Sequence, residues 1–270
     1  MNASFSWLVD ILALLKPSIP RCLTCGKESP PSVHLPGICK LCEEAIPWIR
    51  TPRCLQCGRH IGCPDCTRSS EPSPMICNRS AVAYTPVMRE WLGQYKYRGN
   101  ERYAPLLGLM LDKAYITLKA ERQQNAFQSC QRYSSWSADL LVPVPVSDSR
   151  LIERGFNQAE RLAHVLSQQR KIPLLPLLIR THHTGKQSFK GRAERFAAMK
   201  HAFGENPAVT AALRSLLKGK DSKSGPVQII VVDDIYTTGS TIRACVEVIK
   251  QITSQHGYEA DIYSLTWARS

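Results

Sequence analysis

The sequence predicts an α/β protein with a mainly parallel, doubly wound sheet and a small cysteine-rich module in front of it. Nine of the 11 cysteines lie before residue 80, and apolar strand-like segments alternate with helical ones after that point. The 270 residues are 43% hydrophobic, which is enough for one α/β domain and a smaller appendage. A formal net charge of +13 makes phosphate-bearing partners more probable than for a neutral chain.

The first 20 residues predict an amphipathic helix that ends at Pro17. Its apolar run, Trp7 to Leu15, is interrupted by Asp10 and is shorter than the roughly 20 residues that a membrane span needs. We expect it to pack against the body of the protein, and binding to a membrane surface or a partner is the alternative. The segment lacks the pattern of a secretion signal, so we expect a reducing, cytoplasmic location for this cysteine-rich chain.

Four CxxC pairs dominate residues 21–74. Each pair forms a tight turn with two thiolates on one side, and two such turns supply the tetrahedral sulfur ligands of a zinc ion. The simplest pairing joins the first pair to the second and the third to the fourth, which predicts a double zinc ribbon with two structural Zn²⁺ sites. The ligands would be Cys22, Cys25, Cys39 and Cys42 in one site, and Cys54, Cys57, Cys63 and Cys66 in the other.

Other interpretations of these cysteines stay open. The pairs could interleave, Cys77 could replace one ligand, one pair could have a redox role, or the thiols could be reduced and buried. Four thiolates leave no position for water, so a zinc ion here would stabilise the fold and not catalyse. The ribbon could also bind nucleic acid, although residues 1–80 carry a net charge of only +3.

Residues 81–270 form the predicted α/β domain, after a hinge rich in proline and serine at 69–74. Apolar strands separated by helices favour a mainly parallel sheet. A loop is predicted over residues 121–137. The predicted strands are 81–84, 140–146, 227–232 and 262–267, and the predicted helices are 86–97, 103–118, 157–170 and 240–254.

The most informative segment is Gln228 to Ile242. An apolar strand delivers Asp233 and Asp234 to its carboxyl end, where open α/β sheets bind ligands. Hydroxyls and backbone amides then precede a helix and can cradle a phosphate, in the order Thr237, Thr238, Gly239, Ser240 and Thr241. Two carboxylates would repel a simple polyphosphate unless hydroxyl groups or Mg²⁺ lay between them. A sugar phosphate fits this combination, because its hydroxyls can face the carboxylates. A chance acidic cap before a helix is the alternative.

This segment resembles the phosphoribosyl pyrophosphate (PRPP) motif of type I phosphoribosyltransferases. The resemblance implies that Asp233 and Asp234 hold the ribose hydroxyls and that Thr237 to Thr241 hold the 5′-phosphate. It also implies that Mg²⁺ accompanies PRPP, bridging pyrophosphate and ribose oxygens.

Three more segments indicate which family within this group the chain resembles. They are Lys96 to Gly99, Val142 to Val146 leading into Glu153 to Ala159, and Lys186-Gln187 followed by Arg192 and Arg195. Together with the cysteine-rich head they resemble the ComF (ComFC) family of DNA-uptake competence proteins and its relative GntX, over nearly the whole chain. Ala198 stands where that family usually carries Asn.

The family resemblance implies a PRPP-binding protein that acts in DNA uptake during natural transformation. Single-stranded DNA and the helicase or pore proteins of DNA uptake are the partners it suggests. The alternative is a catalytically active phosphoribosyltransferase of nucleotide metabolism, a pentosyl transferase whose acceptor the sequence does not identify.

Several cations are candidates for holding pyrophosphate. Arg154 and Asn157 lie between a strand and a helix and can reach it, unless Asn157 only caps the helix and Arg154 is solvated. Residues 180–200 carry six cations and one carboxylate, which predicts a mobile loop with Lys186, Arg192 and Arg195 stabilising the leaving charge, or else a solvated face. Lys96 and Arg98 fit either the site edge or the surface. Cys130 and Cys245 are expected to be buried thiols.

Overall fold

The computed structural model describes residues 20–68, 72–97, 100–128, 136–181, 202–218, 220 and 225–270. The chain divides into two compact units, Met1–Ile46 and Pro47–Ser270. The first four cysteines of the CxxC pairs belong to the smaller unit and the second four to the larger one. The helix predicted for the N-terminal segment and Cys130 lie outside the described residues.

Over its described residues, 20–46, the smaller unit has little secondary structure. Helix α1 spans Lys40–Glu44, and two isolated bridges join Arg21 to Glu28 and Pro31 to Cys39. Leu35 and Ile38 are almost fully buried, together with the thiols of Cys22 and Cys39. With few buried apolar side chains in residues 20–46, a bound metal would add to the stability of this part of the chain.

The larger unit contains seven helices and six strands among the described residues. The helices are α2 Pro64–Arg68, α3 Pro86–Tyr97, α4 Tyr103–Gln128, α5 Asp148–Arg154, α6 Gln158–Arg170, α7 Thr210–Leu217 and α8 Ser240–Gln255. The strands are β1 Asn78–Ala83, β2 Leu140–Pro143, β3 Leu178–Arg180, β4 Phe203–Glu205, β5 Val227–Tyr236 and β6 Ala260–Arg269. A single 3₁₀ turn, Pro207–Val209, precedes α7.

The main sheet has the strand order β1-β6-β5-β2, and every neighbouring pair is parallel. β3 and β4 form a separate antiparallel pair. Residues Ile229 to Val232 of β5 are fully buried, as expected for a central strand covered on both faces. The predicted α/β class with a mainly parallel sheet is confirmed.

Helices pack against this sheet, and the parallel direction of its strands places their carboxyl ends at one edge. α4 packs on β1 and β6, α6 packs on β2 and β5, and α8 packs on β5 and β6. α4 and α6 also lie against each other so closely that a Cβ on Gly108 would be 2.5 Å from the Val165 side chain. The loop that follows β5 therefore starts from a strand against which both α6 and α8 pack.

Two sequence expectations need correction. The loop predicted from residue 121 is wrong over its first half, because α4 continues to Gln128. Its polar residues have partners inside the fold: Glu121 accepts two hydrogen bonds from the buried Arg79, at 2.9 and 2.7 Å. The sequence also gave no indication of α5, α7 or the β3–β4 pair, which are short. Within the described ranges, no helix combines the length and the apolar character that crossing a membrane requires.

Candidate functional site

The acidic pair lies near the carboxyl end of the central strand β5. Asp233 is paired in register with Thr266 of β6, and Asp234 is only 7% exposed. The backbone amide of Asp234 donates a 2.8 Å hydrogen bond to Asp233 Oδ1. β5 continues through Tyr236, so the pair lies inside the strand and not at its last residue.

Lys96, at the end of α3, reaches this pair. Its Nζ lies 2.6 Å from Asp234 Oδ2, and the two side chains are 15% and 11% exposed. Of the two sequence interpretations of Lys96, the structure supports the site edge. Tyr95 is buried beside it and donates a 3.0 Å hydrogen bond to the Gln158 carbonyl, which ties α3 to α6.

The environment of Asp233 favours its protonated form. Burial and the charge of Asp234 raise its pKa from 3.8 to about 7, although the charges of Lys96 and Arg180 oppose the rise. Arg180 is the last residue of β3. The acidic pair therefore lies in a region where added positive charge or hydrogen-bond donors would be stabilising, as a ligand with hydroxyl groups or a cation would provide.

This pKa predicts a measurable effect on stability. The folded protein keeps a proton on Asp233 that the unfolded chain releases near pH 4, so folding stability falls as the pH rises from about 4 towards 7. Asp233→Asn removes that penalty and keeps the Oδ1 acceptor for the Asp234 amide. We expect the variant to exceed the parent in urea unfolding by a small margin at pH 4.5 and by a larger margin at pH 8. The same difference in stability at both pH values would contradict the raised pKa.

The loop after β5 leads directly into the N-terminus of α8. Gly239 has a φ of 79°, and a Cβ on it would lie 2.1 Å from Tyr236 Oη, so only glycine fits. α8 begins at the next residue, and no side chain caps its N-terminus. The free amides of its first turn and the helix dipole favour a bound anion. The hydroxyls of Thr238 and Ser240 lie 3.1 Å apart beside them.

Asn157 has the capping role that the sequence left as the alternative. Its Oδ1 accepts from the amides of Ala159 and Glu160, and its Nδ2 donates to the Val144 carbonyl at 3.2 Å. Its side chain is therefore occupied in holding the start of α6. Binding of pyrophosphate by Asn157 stays a prediction that would require these bonds to break.

Arg154 is not a solvated side chain. Its guanidinium lies 5.2 Å from the centre of the Tyr97 ring and donates to Gln158 Oε1 at 2.9 Å. These contacts place it next to the end of α3 that carries Lys96. Lys186, Arg192 and Arg195 lie outside the described residues, as does Arg98, and their assigned roles stay predictions.

The two predicted cysteine groups are assembled as the simplest pairing expects. Within each group, all four sulfur atoms lie within 4.8 Å of one another. Cys25 and Cys39 have their Sγ atoms 3.9 Å apart, and Cys57 and Cys63 have theirs 3.4 Å apart. A tetrahedral ion with Zn–S bonds of about 2.3 Å needs sulfurs about 3.8 Å apart, so each group could hold a zinc ion. Cys77 is buried outside both groups.

The thiols of each group influence one another's ionisation. Burial opposes ionisation of Cys22, but hydrogen bonds from the Cys25 amide and the Thr24 hydroxyl lower its pKa to about 6. In the second group, burial and the charge of Cys57 raise the pKa of Cys66. Four thiolates together repel each other, and a divalent cation relieves that repulsion.

Elemental analysis tests the metal content directly. We expect two zinc ions per chain in the parent protein. The double variant Cys54→Ser, Cys57→Ser should hold one, because it removes two of the four ligands of the second site and leaves the first site intact. Cys77→Ser is the matched control and should keep both ions. A parent protein with one zinc, or unchanged zinc in the double variant, would contradict the two-site assignment.

Several known proteins are similar in sequence to most of this chain. No family model matches the chain. It is 28% identical over 246 residues to Competence protein ComFC of Bacillus subtilis (strain 168), covering 86% of this chain and 84% of that protein. It is 23% identical to Competence protein ComFC of Streptococcus pneumoniae, covering 86% of this chain and 94% of the relative. It is 25% identical to DNA utilization protein YhgH of Escherichia coli (strain K12), covering 79% and 84%.

These alignments span most of each protein, and the two cysteine groups have the composition and spacing of a double zinc-ribbon head. The chain is therefore similar over most of its length to the ComFC competence proteins and the YhgH DNA utilization proteins, and it combines two cysteine groups of zinc-ribbon type with a parallel α/β sheet.

Proposed function

We propose that this protein binds PRPP with Mg²⁺ through Asp233, Asp234 and the loop Thr237 to Thr241, and that it acts in DNA uptake. The observation that carries the proposal is the juxtaposition of a partly buried acidic pair with an uncapped helix N-terminus on one strand–loop–helix unit. A ligand with both vicinal hydroxyls and a phosphate matches those two features together.

Each part of the site would meet a different part of the ligand. The carboxylates accept hydrogen bonds from the ribose hydroxyls, and the amides before and within α8 donate to the 5′-phosphate. Lys96 balances the charge of Asp234, so that an anionic ligand can approach two carboxylates. Mg²⁺ would arrive with PRPP and neutralise part of its pyrophosphate charge.

Isothermal titration of the full chain with PRPP and Mg²⁺ tests the proposal, followed by an assay for released pyrophosphate with nucleobases or nucleic acid as acceptors. We expect saturable binding with one PRPP per chain. Binding with pyrophosphate release would favour the active transferase, in which the protein positions the reactants and stabilises the leaving anion. An absence of binding would contradict the assigned site.

The DNA role rests on the relatives and on charge. The B. subtilis and S. pneumoniae relatives are named competence proteins, and those of E. coli are named for DNA utilization. Residues 81–270 carry a net charge of +10, against +3 for residues 1–80. In the smaller unit, Arg21 and Lys40 lie 3.3 and 3.8 Å from Glu28 and Glu44. We therefore assign single-stranded DNA binding to the phosphoribosyltransferase-like part, residues 81–270. The protein would act in the cytoplasm and receive the strand from the helicase or pore proteins of DNA uptake.

Two matched triple variants of the full chain test this assignment. Replacing Lys186, Arg192 and Arg195 by Gln should weaken single-stranded DNA binding and lower the salt slope of log K by about 2, since each phosphate contact contributes about 0.7. Replacing Arg21, Lys27 and Lys40 by Gln removes the same charge from the smaller unit and should change the slope little. The opposite result, measured by anisotropy across a salt series, would move the DNA site to the zinc-ribbon head.

A further inference from the structure

The second cysteine group is attached to the main sheet through one turn, Cys54–Gly58. Three successive carbonyls of this turn accept hydrogen bonds from β1. The donors are Arg79 Nη1 to Leu55 at 2.9 Å, the Asn78 amide to Gln56 at 2.7 Å, and Asn78 Nδ2 to Cys57 at 3.1 Å. The position of this metal-binding turn is therefore set by the sheet.

The approach of the turn to β1 is as close as the backbone allows. A Cβ on Gly58 would lie 2.6 Å from the Asn78 carbonyl oxygen. Asn78 also accepts a 2.8 Å hydrogen bond from the Ser264 hydroxyl of β6, which holds its amide group in place. The turn and the two strands behave as one rigid element.

Arg269, at the end of β6, joins this turn to the ligand loop. It is 3% exposed, its Nε donates to the Cys57 carbonyl at 3.2 Å, and its Nη2 lies 3.3 Å from Cys57 Sγ. Its Nη1 donates to the carbonyls of Tyr236 and Thr237, at 3.2 and 3.0 Å. One planar guanidinium thus bonds a predicted metal ligand on one side and the first residue of the loop on the other.

A second contact extends the connection into the loop. The Arg269 guanidinium lies 4.8 Å from the centre of the Tyr236 ring. The hydroxyl of that ring lies against Gly239, where a Cβ would be 2.1 Å away. A displacement of Arg269 would therefore move both the Thr237 carbonyl and the aromatic ring that supports the glycine of the loop.

The metal state of the cysteine group would control Arg269 through the position of the turn. A bound ion holds the four sulfurs together and so fixes the turn whose Cys57 carbonyl and Sγ contact the Arg269 guanidinium. Without the ion, the turn loses that constraint, and the contacts of Arg269 with it are less firmly held. We propose that Arg269 couples this metal site to the loop Thr237 to Thr241, so that zinc and PRPP each strengthen the binding of the other. The identity of the ligand rests on the proposed function, whereas the coupling rests on these contacts.

Hydrogen exchange of the full chain tests the coupling without any ligand. Removing zinc with a chelator should speed amide exchange in the peptide spanning Thr237 to Thr241 by about fivefold or more, the usual lower range of coupling between sites. The peptide of β2, Leu140–Pro143, serves as the internal control and should not change. Unchanged exchange in the loop, or equal acceleration in β2, would overturn the proposal.

Ligand affinities test whether the coupling is reciprocal. PRPP should bind the zinc-loaded protein at least about fivefold more tightly than the zinc-depleted protein, and saturating PRPP should raise zinc affinity by the same factor, as linkage requires. Arg269→Lys keeps the charge, but one ammonium cannot bond both the cysteine turn and the loop. The effect of zinc on PRPP affinity and the effect of PRPP on zinc affinity should therefore both approach a factor of one. Arg79→Lys is the matched control, because Arg79 is equally buried and bonds the same turn, yet has no bond to the loop.

The outcomes separate the two proposals. If PRPP fails to bind the zinc-loaded parent while loop exchange still depends on zinc, the coupling stands and the proposed ligand falls. If PRPP binds with the same affinity with and without zinc, the proposed function stands and the coupling falls. Coupling that survives in Arg269→Lys would remove Arg269 from the connection.

Discussion

Replacing Asp233 and Asp234 together by asparagine should lower the affinity for PRPP by one to four orders of magnitude. Both carboxylates would accept charge-assisted hydrogen bonds from the ribose hydroxyls, each worth about 1.5 to 3 kcal/mol. Asparagine keeps the shape of both side chains. At position 233 it also keeps the Oδ1 atom that accepts the hydrogen bond from the backbone amide of residue 234. Titration calorimetry with PRPP and Mg²⁺ gives the affinity.

A matched control is a pair of aspartates that contact the amino end of the same strand, β5. Asp139 and Asp261 accept hydrogen bonds from the backbone amide and side chain of Gln228, at 2.8 and 3.1 Å. Changing both to asparagine removes the same charge from the sheet without touching the proposed site. This control should bind PRPP as the parent does. Parent-like affinity in the Asp233, Asp234 variant would contradict the site, and a loss in the control alone would place the ligand elsewhere.

The parts of the fold that sequence reasoning predicts are those that depend on local pattern. β5 contains the continuous apolar run Ile229 to Val232 because both faces of the strand are buried there, and α3 is predicted with its observed limits, Pro86–Tyr97. The last ten residues of α4 are not predicted as helix because their polarity suggests a loop, whereas the polar Glu121 bonds the buried Arg79 of a distant strand. β3 and β4 have three residues each, too few for any periodicity to show.

The same limit applies to the candidate site. The acidic pair and the loop were predictable because their chemistry is contiguous along the chain, from Asp233 to Thr241. Lys96 was ambiguous because its partner, Asp234, is distant in sequence, and only packing of α3 beside β5 brings them together. Arg269 carried no signal at all: its partners, Cys57 and Thr237, come from two other segments.

Lys96→Met should destabilise the protein by about 3 to 5 kcal/mol at neutral pH, because it leaves a buried carboxylate without its partner. The Lys96 ammonium and Asp234 Oδ2 are 2.6 Å apart, and both side chains are at least 85% buried, since they are only 15% and 11% exposed. Methionine fills the space of the lysine stem, so the loss reports on charge more than on packing. Urea unfolding at pH 7.5 measures the free energy.

Two further variants decide whether this energy belongs to the pair. Asp234→Asn in the Lys96→Met background removes the stranded carboxylate and should restore most of the lost stability, which is a coupling that a double-mutant cycle quantifies. Arg150→Met breaks the Arg150–Glu153 pair, which is as short, at 2.5 Å, but 41% and 49% exposed, and should cost less than about 1 kcal/mol. If Lys96→Met costs no more stability than Arg150→Met, water must already solvate Asp234. The acidic pair would then face an open surface, and an anionic ligand could approach it without charge compensation by Lys96.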